Sequence, residues 1–344
     1  MRGSIFIAGV EIRPGERRTI NLPTGRLYTH TEMTMPVQVI YGRKPGPRLF
    51  VSAAIHGDEI NGVEIIRRLL KLRVLEGLRG TLIAIPTVNV YGFIHCSRYL
   101  PDRRDLNRFF PGSEEGSLTS RLAKLFMDEI VEHATHGIDL HTGSNHRINL
   151  PQIRASLVDQ ETRRIARAFG APVIIDARIR DGSLREAVAE KGLPMLLYEA
   201  GEALRFNEFA IQAGLKGVLA VMREIGLLKK RPPRKKSIDS LVVKSTTWVR
   251  APTSGILHSS VALGAKVEPG DTLAVIGDAF GEAREEIRSE VAGIVIGRSN
   301  LPLVYRGDAL FHLATVDVSK SLDSAVKAIE TGLSEEQFYT EEVI

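Results

Sequence analysis

Short apolar runs alternate with amphipathic stretches through the first two thirds of the chain. LFVSAAI (Leu49–Ile55) is almost wholly apolar and follows a Gly46-Pro47 turn signal, so it reads as a buried strand. After it, Ile60, Val63, Ile66, Leu69 and Leu70 recur at helical spacing, with Arg67, Arg68 and Lys71 left for solvent. The same alternation predicts a strand over Thr81–Val90, a helix over Leu118–Glu132 and a short strand at Gly137–Leu140. It then predicts a helix from Glu161 to Phe169, a strand in PVII, a helix near Leu184–Ala189 and a strand in PMLLYE ending at Glu199. A long amphipathic helix from Glu208 to Ile225 closes the series. Strands alternating with helices define an α/β class with a mixed, mostly parallel sheet flanked by helices. The first 45 residues lack helical periodicity and are expected to form an antiparallel lead-in.

The pattern then breaks at KKRPPRKK (Lys229–Lys236), where two adjacent prolines among six positive charges mark a linker. From Val242 to Ala314 glycines and β-branched residues dominate, which predicts an all-β domain. A weak internal repeat runs through it. Ala251–Ile276 is echoed by Ser289–Leu313, each with Gly-Ile near its start and Gly-Asp-x-Leu near its end. The expected organisation is therefore a catalytic domain over 1–228, a linker over 229–240, a β domain over 241–316 and an acidic tail over 317–344, with one helix around Ala325–Ile329.

Composition narrows the classes. At 344 residues, with 43% hydrophobic and 25% charged residues, the chain is globular and long enough for two domains. A single cysteine, Cys96, rules out an internal disulfide framework. No apolar opening segment of signal-peptide type and no run of 18 apolar residues occurs, so a cytoplasmic location is expected and no membrane partner. The net charge of +5 conceals a basic first part, 31 basic against 25 acidic side chains over residues 1–228, a basic linker and an acidic end. The linker carries no aromatic stacking residues, so its charge is read as that of a hinge, and no nucleic-acid partner is expected.

Candidate chemistry gathers at predicted strand ends, where open α/β sheets place their sites. His56-Gly57-Asp58-Glu59 follows the Leu49–Ile55 strand, and His and Glu three apart can reach one metal ion. DLHTG brings His141 to a second strand end. Two His and one Glu leave a fourth position open, the arrangement of a catalytic zinc site; a capping or core histidine is the plainer reading of His141. Glu199 ends a third strand and is either a general base or a surface, ion-paired glutamate. Four arginines fall within the eleven residues from Arg98 to Arg108, which suits a carboxylate substrate or simply a solvated loop. Asp58 and Asp139, beside the candidate ligands, are positioned to orient imidazoles. Cys96 has no partner that would activate it, and His95 and His146 are read as structural.

HGDE-x-x-G, the CSRY…DLNR stretch, DLHTG and YEAG occur in that order over about residues 45–230. Together they resemble the succinylglutamate desuccinylase/aspartoacylase family, a branch of the zinc carboxypeptidase-like fold. The resemblance implies one zinc ion per chain, held by His56, Glu59 and His141, with water activated by Glu199. It implies that Arg98 polarises the scissile carbonyl and that Asn107 and Arg108 hold the substrate carboxylate. Relative to aspartoacylase two extra residues lie between Arg98 and Asn107, so a different substrate pocket is expected. The C-terminal segment resembles a biotinyl/lipoyl-type barrel-sandwich, but the hairpin Asp278–Glu286 has no lysine, which argues against a swinging-arm carrier. Tyr305, the only tyrosine of that segment, aligns poorly with the tyrosine some relatives contribute and is left outside the site. The function so implied is a deacylase for a small N-acyl amino acid or related amide or ester, with a homo-oligomer left open. A metallocarboxypeptidase, or a non-catalytic scaffold using the β domain and linker, are the alternatives.

Overall fold

A computed structural model describes residues 3–178, 180–230 and 240–315. Most of the linker, the acidic tail and the helix expected around Ala325–Ile329 lie outside these residues.

The lead-in is antiparallel, as its lack of helical periodicity suggests. β1 (Ile5–Ile7) and β2 (Val10–Ile12) pair as a small ribbon, and β3 (Arg17–Arg26) and β4 (Glu32–Tyr41) form one flank of a large sheet. β5 (Lys44–Ala53), β6 (Arg79–Ile85), β7 (His136–Gly143) and β10 (Met195–Glu202) lie parallel at its centre, in the order β10-β7-β5-β6. Between them in sequence come β8 (Arg147–Ala155) and β9 (Val173–Asp176). The parallel expectation therefore holds for the centre, whereas the flanks are antiparallel and the sheet as a whole is mixed. The helices α1 (Asn61–Leu69), α2 (Val90–Ile94), α3 (Leu118–Glu129), α4 (Gln160–Phe169), α5 (Leu184–Glu190) and α6 (Glu208–Glu224) connect these strands. Side-chain caps from Asn89, Ser117, Asp159, Ser183 and Asn207 fix where five of them start.

Two apolar layers enclose the sheet. On one face Ile65, Ile66 and Leu69 of α1, Ile165 and Phe169 of α4, and Val218 and Met222 of α6 are buried together. On the other, Phe50 of β5 meets Phe126 of α3 edge to face at 5.8 Å, beside Leu184 and Val188 of α5. A sheet covered on both sides explains why the central strands are continuous apolar runs.

Three boundaries differ from the pattern. The strand expected over Thr81–Val90 stops at Ile85, because Pro86 cannot donate to the ladder and Asn89 caps α2. The helix expected to Glu132 ends at Glu129 with Ile130 as its C-cap (φ −116°, ψ −58°), and a short 3₁₀ turn, Val131–His133, follows. β8 is not foreseen by the pattern, since Pro151 interrupts its sequence. Its partner changes there: residues 147–149 face the C-terminal segment, residues 152–155 face β9, and the register with β10 shifts across the proline.

The C-terminal segment is all β, from β11 (Leu241–Val243) to β19 (Ala309–Thr315). β11 joins β9 in parallel; β12 (Thr246–Arg250), β17 (Gly293–Ser299) and β19 extend the large sheet, with β17 against β8. β14 (Lys266–Val267) adds to β17. β13 (Gly255–Ser259), β15 (Thr272–Gly277), β16 (Arg284–Arg288) and β18 (Leu303–Val304) form a separate four-stranded sheet. The half-repeats thus place matching strands, β13/β15 and β17/β19, in different sheets around one core of Leu257, Leu273, Ile276, Val295 and Leu313. The hairpin expected to run to Glu286 becomes a strand at Arg284. No helix among the described residues is long and apolar enough to cross a membrane.

Candidate active site

The loop between β5 and α1 carries His56 and Glu59. Gly57 is required there by close approach: a Cβ would stand 2.0 Å from the carbonyl carbon of Gly92. β7 lies parallel to β5, with Ala53 opposite Leu140, so Asp139 and His141 reach the same edge of the sheet. His56 Nδ1 lies 2.8 Å from Glu59 Oε1 and His141 Nδ1 lies 2.7 Å from Glu59 Oε2. The opposite ring nitrogens are held by carboxylates: His56 Nε2 is 3.0 Å from Asp105 Oδ1, and His141 Nε2 is 2.6 Å from Asp139 Oδ2. Carboxylates of this kind fix ring orientation and leave Nδ1 as the inward-facing atom. Ser52 donates to the other oxygen of Asp139 at 2.8 Å, and the Thr142 N–H donates to Glu59 Oε2 at 3.1 Å. Arg98 bridges Glu59 Oε1 (3.1 Å) and Asp105 Oδ2 (3.0 Å). One ligand atom from each of His56, Glu59 and His141 lies within 4.8 Å of the others, so these buried residues could hold a metal ion.

The cluster is charge-balanced although buried. Burial opposes the charge on Glu59, but His56 and His141 hold its carboxyl well below the ordinary carboxylate range. Burial likewise works against protonated His141, and Asp139 and Glu59 outweigh it, lifting that imidazole well above its usual value. Burial opposes protonation of His56 too, and Glu59 and Asp105 raise it nonetheless. Asp105 stays below the usual range, since His56 and Arg98 overcome its burial. Asp58 behaves differently. Burial and then the charge of Glu59 push its carboxyl up, and its Oδ1 has no hydrogen-bond partner among the described residues. It orients no imidazole; Asp139 and Asp105 do.

A cavity of about 220 Å³ opens from this cluster. Its lining brings together all seven residues singled out in the sequence: His56, Glu59, His141, Arg98, Asn107, Arg108 and Glu199. Asn107 Oδ1 accepts from the Leu184 N–H at 2.9 Å, which fixes its carboxamide. Glu199 Oε2 accepts from Asn149 Nδ2 at 3.0 Å. Arg154 Nε stands 3.1 Å from the same oxygen as a charge contact, without the alignment of a hydrogen bond. Arg147, Arg154, Arg178, Arg180 and Arg185 line the rest of the wall. Arg185 is 8% exposed; its Nη2 donates to the Arg178 carbonyl at 2.6 Å, while Nη1 is buried without a partner among the described residues. Burial and the like charge of Arg154 pull its guanidinium down to about 10, partly offset by Glu199.

The C-terminal segment closes the cavity with Trp248, not with Tyr305, which is 78% exposed and off the lining. The Trp248 ring is stacked on His312 (4.4 Å, 2°), and the Arg147 guanidinium sits 5.4 Å from its centroid. Sequence reasoning misses Asp105, Asn149, Arg154, Arg185 and Trp248. Asp105 had a signal, an acid among four arginines two residues before Asn107. The others lie on an unforeseen strand, on a helix and in the second β segment, and only tertiary packing brings them together.

A buried His–Glu–His cluster that could hold a metal ion stands at parallel strand ends and opens into an arginine-lined pocket. The model of the succinylglutamate desuccinylase/aspartoacylase catalytic domain matches residues 45–225, and the chain belongs to that family. It is 28% identical over 294 residues to N-α-acetyl-L-2,4-diaminobutyric acid deacetylase of Halomonas elongata, covering 82% of this chain and 86% of that protein. It is 27% identical over 246 residues to succinylglutamate desuccinylase of Pseudomonas aeruginosa, covering 65% and 67%. Among solved structures, the product-bound ectoine utilization protein EutE (DoeB) of Ruegeria pomeroyi superposes with a TM-score of 0.81 at 25% identity, over 92% of this chain and all of that one. A succinylglutamate desuccinylase/aspartoacylase of Rhodobacter sphaeroides gives 0.77 at 27% identity, over 88% and 96%.

Proposed function

We propose that the protein is a zinc-dependent deacylase that hydrolyses the acyl amide bond of a small N-acyl amino acid or related carboxylate-bearing compound. The carrying observation is the single cavity that joins the His56–Glu59–His141 cluster, Glu199 and the arginines. Two imidazoles and one carboxylate suit zinc, and their Nδ1 atoms converge on Glu59 while Asp105 and Asp139 brace the rings behind. Zinc in that position supplies Lewis acidity that makes water a nucleophile at neutral pH.

The chain's own residues account for the rest. Glu199 is anchored through Oε2, leaving Oε1 to take a proton from the attacking water and return it to the leaving amine. Arg98 reaches the cluster from the side and donates to the oxyanion of the tetrahedral species. Asn107, held by Leu184, and Arg108 bind the substrate carboxylate. In this reading residues 1–228 are the catalytic domain, 229–240 the linker and 241–316 a barrel-sandwich-like domain serving as one wall; the acidic tail has no assigned role.

The test is a hydrolysis screen of N-acetyl, N-succinyl and other N-acyl amino acids beside a C-terminal peptide series. Short N-acyl amino acids are expected to be cleaved, and Glu199→Ala to reduce kcat roughly 100- to 10,000-fold. Efficient cleavage of long peptides would instead establish the carboxypeptidase alternative.

A further inference from the structure

We infer that Asn149 is a positioning residue for Glu199 and that the C-terminal β segment, through the missing side chain at Gly297, leaves its carboxamide the room to do so. The inference rests on the reading of Glu199 as proton acceptor. Asn149 lies on β8 with a strand on each side, paired with Gly201 of β10 and with Gly297 of β17. It is 7% exposed, and its Nδ2 donates to Glu199 Oε2 at 3.0 Å. Arg154 Nε stands 3.1 Å from the same oxygen but is not aligned to donate. Arg154 therefore supplies charge and Asn149 supplies direction, and no hydrogen bond falls on Oε1 among the described residues. With Arg154 alone the carboxylate keeps a charge partner about which it can turn, and Oε1 leaves its working position.

Gly297 makes this arrangement depend on a strand of the appended segment. A Cβ at 297 would stand 2.7 Å from Asn149 Oδ1 and 3.3 Å from His312 Cβ, while the next atom, the Ile148 carbonyl oxygen, would be 3.6 Å away. The closest obstacle is thus the free end of the Asn149 side chain and not backbone. Turning that carboxamide relieves the clash and breaks its bond to Glu199. No local pattern in the sequence reports this contact, which exists only because β17 pairs with β8.

The experiment measures kcat and KM for Asn149→Ala, Asn149→Asp, Gly297→Ala and the Asn149→Ala/Gly297→Ala double variant, on the best substrate of the screen. Misplacing a catalytic group by about 1 Å can cost roughly 100-fold, so Asn149→Ala is expected to lower kcat roughly 10- to 100-fold with KM within about twofold. Asn149→Asp preserves shape but turns a donor into an acceptor facing a carboxylate, so kcat falls at least as far; this variant keeps the test open should alanine destabilise β8. Gly297→Ala is expected to lower kcat about tenfold, and this loss vanishes in the Asn149→Ala background because the displaced atom is gone. Wild-type kcat in Asn149→Asp, or additive losses in the double variant, would overturn the inference. If Glu199→Ala itself retains full activity, the base reading fails and the inference fails with it. If Glu199→Ala is inactive while the Asn149 and Gly297 variants turn over normally, the inference alone fails.

Discussion

The two ends of the cavity handle buried charge in opposite ways. At the ligand end, His56, His141 and Arg98 face Glu59, Asp105 and Asp139 in a closed set of short contacts, so each of these six groups has a partner of opposite charge. At the far wall, Arg154 and Arg185 share one carboxylate, Glu199, with Arg180 adding a further like charge near Arg185, and Arg185 Nη1 is left without a partner among the described residues. In the proposed reading the first end takes up a metal cation in place of the imidazole protons. The second keeps an excess of positive charge that an anionic substrate can satisfy. Breaking a balanced set strands a partner at a cost of several kcal/mol, whereas replacing a poorly paired charge by an apolar group relieves a penalty.

The largest effect should come from opening the balanced end. His141→Ala removes one of three ligand atoms and is expected to lower both zinc content and hydrolysis, the latter roughly a thousandfold or more; elemental analysis and the deacylation assay check it. Asp139→Asn acts one step back, keeping the shape of the group behind His141 while removing its charge. It should weaken metal binding about 10- to 100-fold, read by competition with a chelator, and leave the fold intact. The smallest effect lies at the other end. Arg185→Met should raise the thermal midpoint of the ligand-free protein by about 1–2 °C, on the order of 1 kcal/mol, because a poorly paired buried charge is replaced by an apolar stem. The same variant should bind the carboxylate product more weakly. A lower midpoint without ligand would show that Arg185 is paired in solution, and the contrast between the two ends would disappear.

The ligand end was legible in the sequence because its parts are local. His56 and Glu59 are three residues apart, His141 and Asp139 two, and Arg98 to Arg108 a single loop, each at a predicted strand end or in the loop quoted for the resemblance. The helices were readable for a similar reason: 3.6-residue periodicity and side-chain caps are written within one turn. The far wall was not legible. Asn149 and Arg154 sit on β8, whose pattern Pro151 disrupts, and the proline is tolerated in that strand because pairing changes partner at that point.

Sequence alone determined the alternating α/β order and the β character of the C-terminal part, since each follows from spacing along a few residues; it offered His56 and Glu59 by spacing, and joined His141 to them only through the family resemblance. Tertiary structure decided the rest. It chose Asp105 over Asp58 as the brace for His56, put Trp248 rather than Tyr305 on the wall, and set Gly297 against Asn149 through β17. Strand pairing joins residues far apart along the chain, and no local pattern of polarity records which edge a strand will meet.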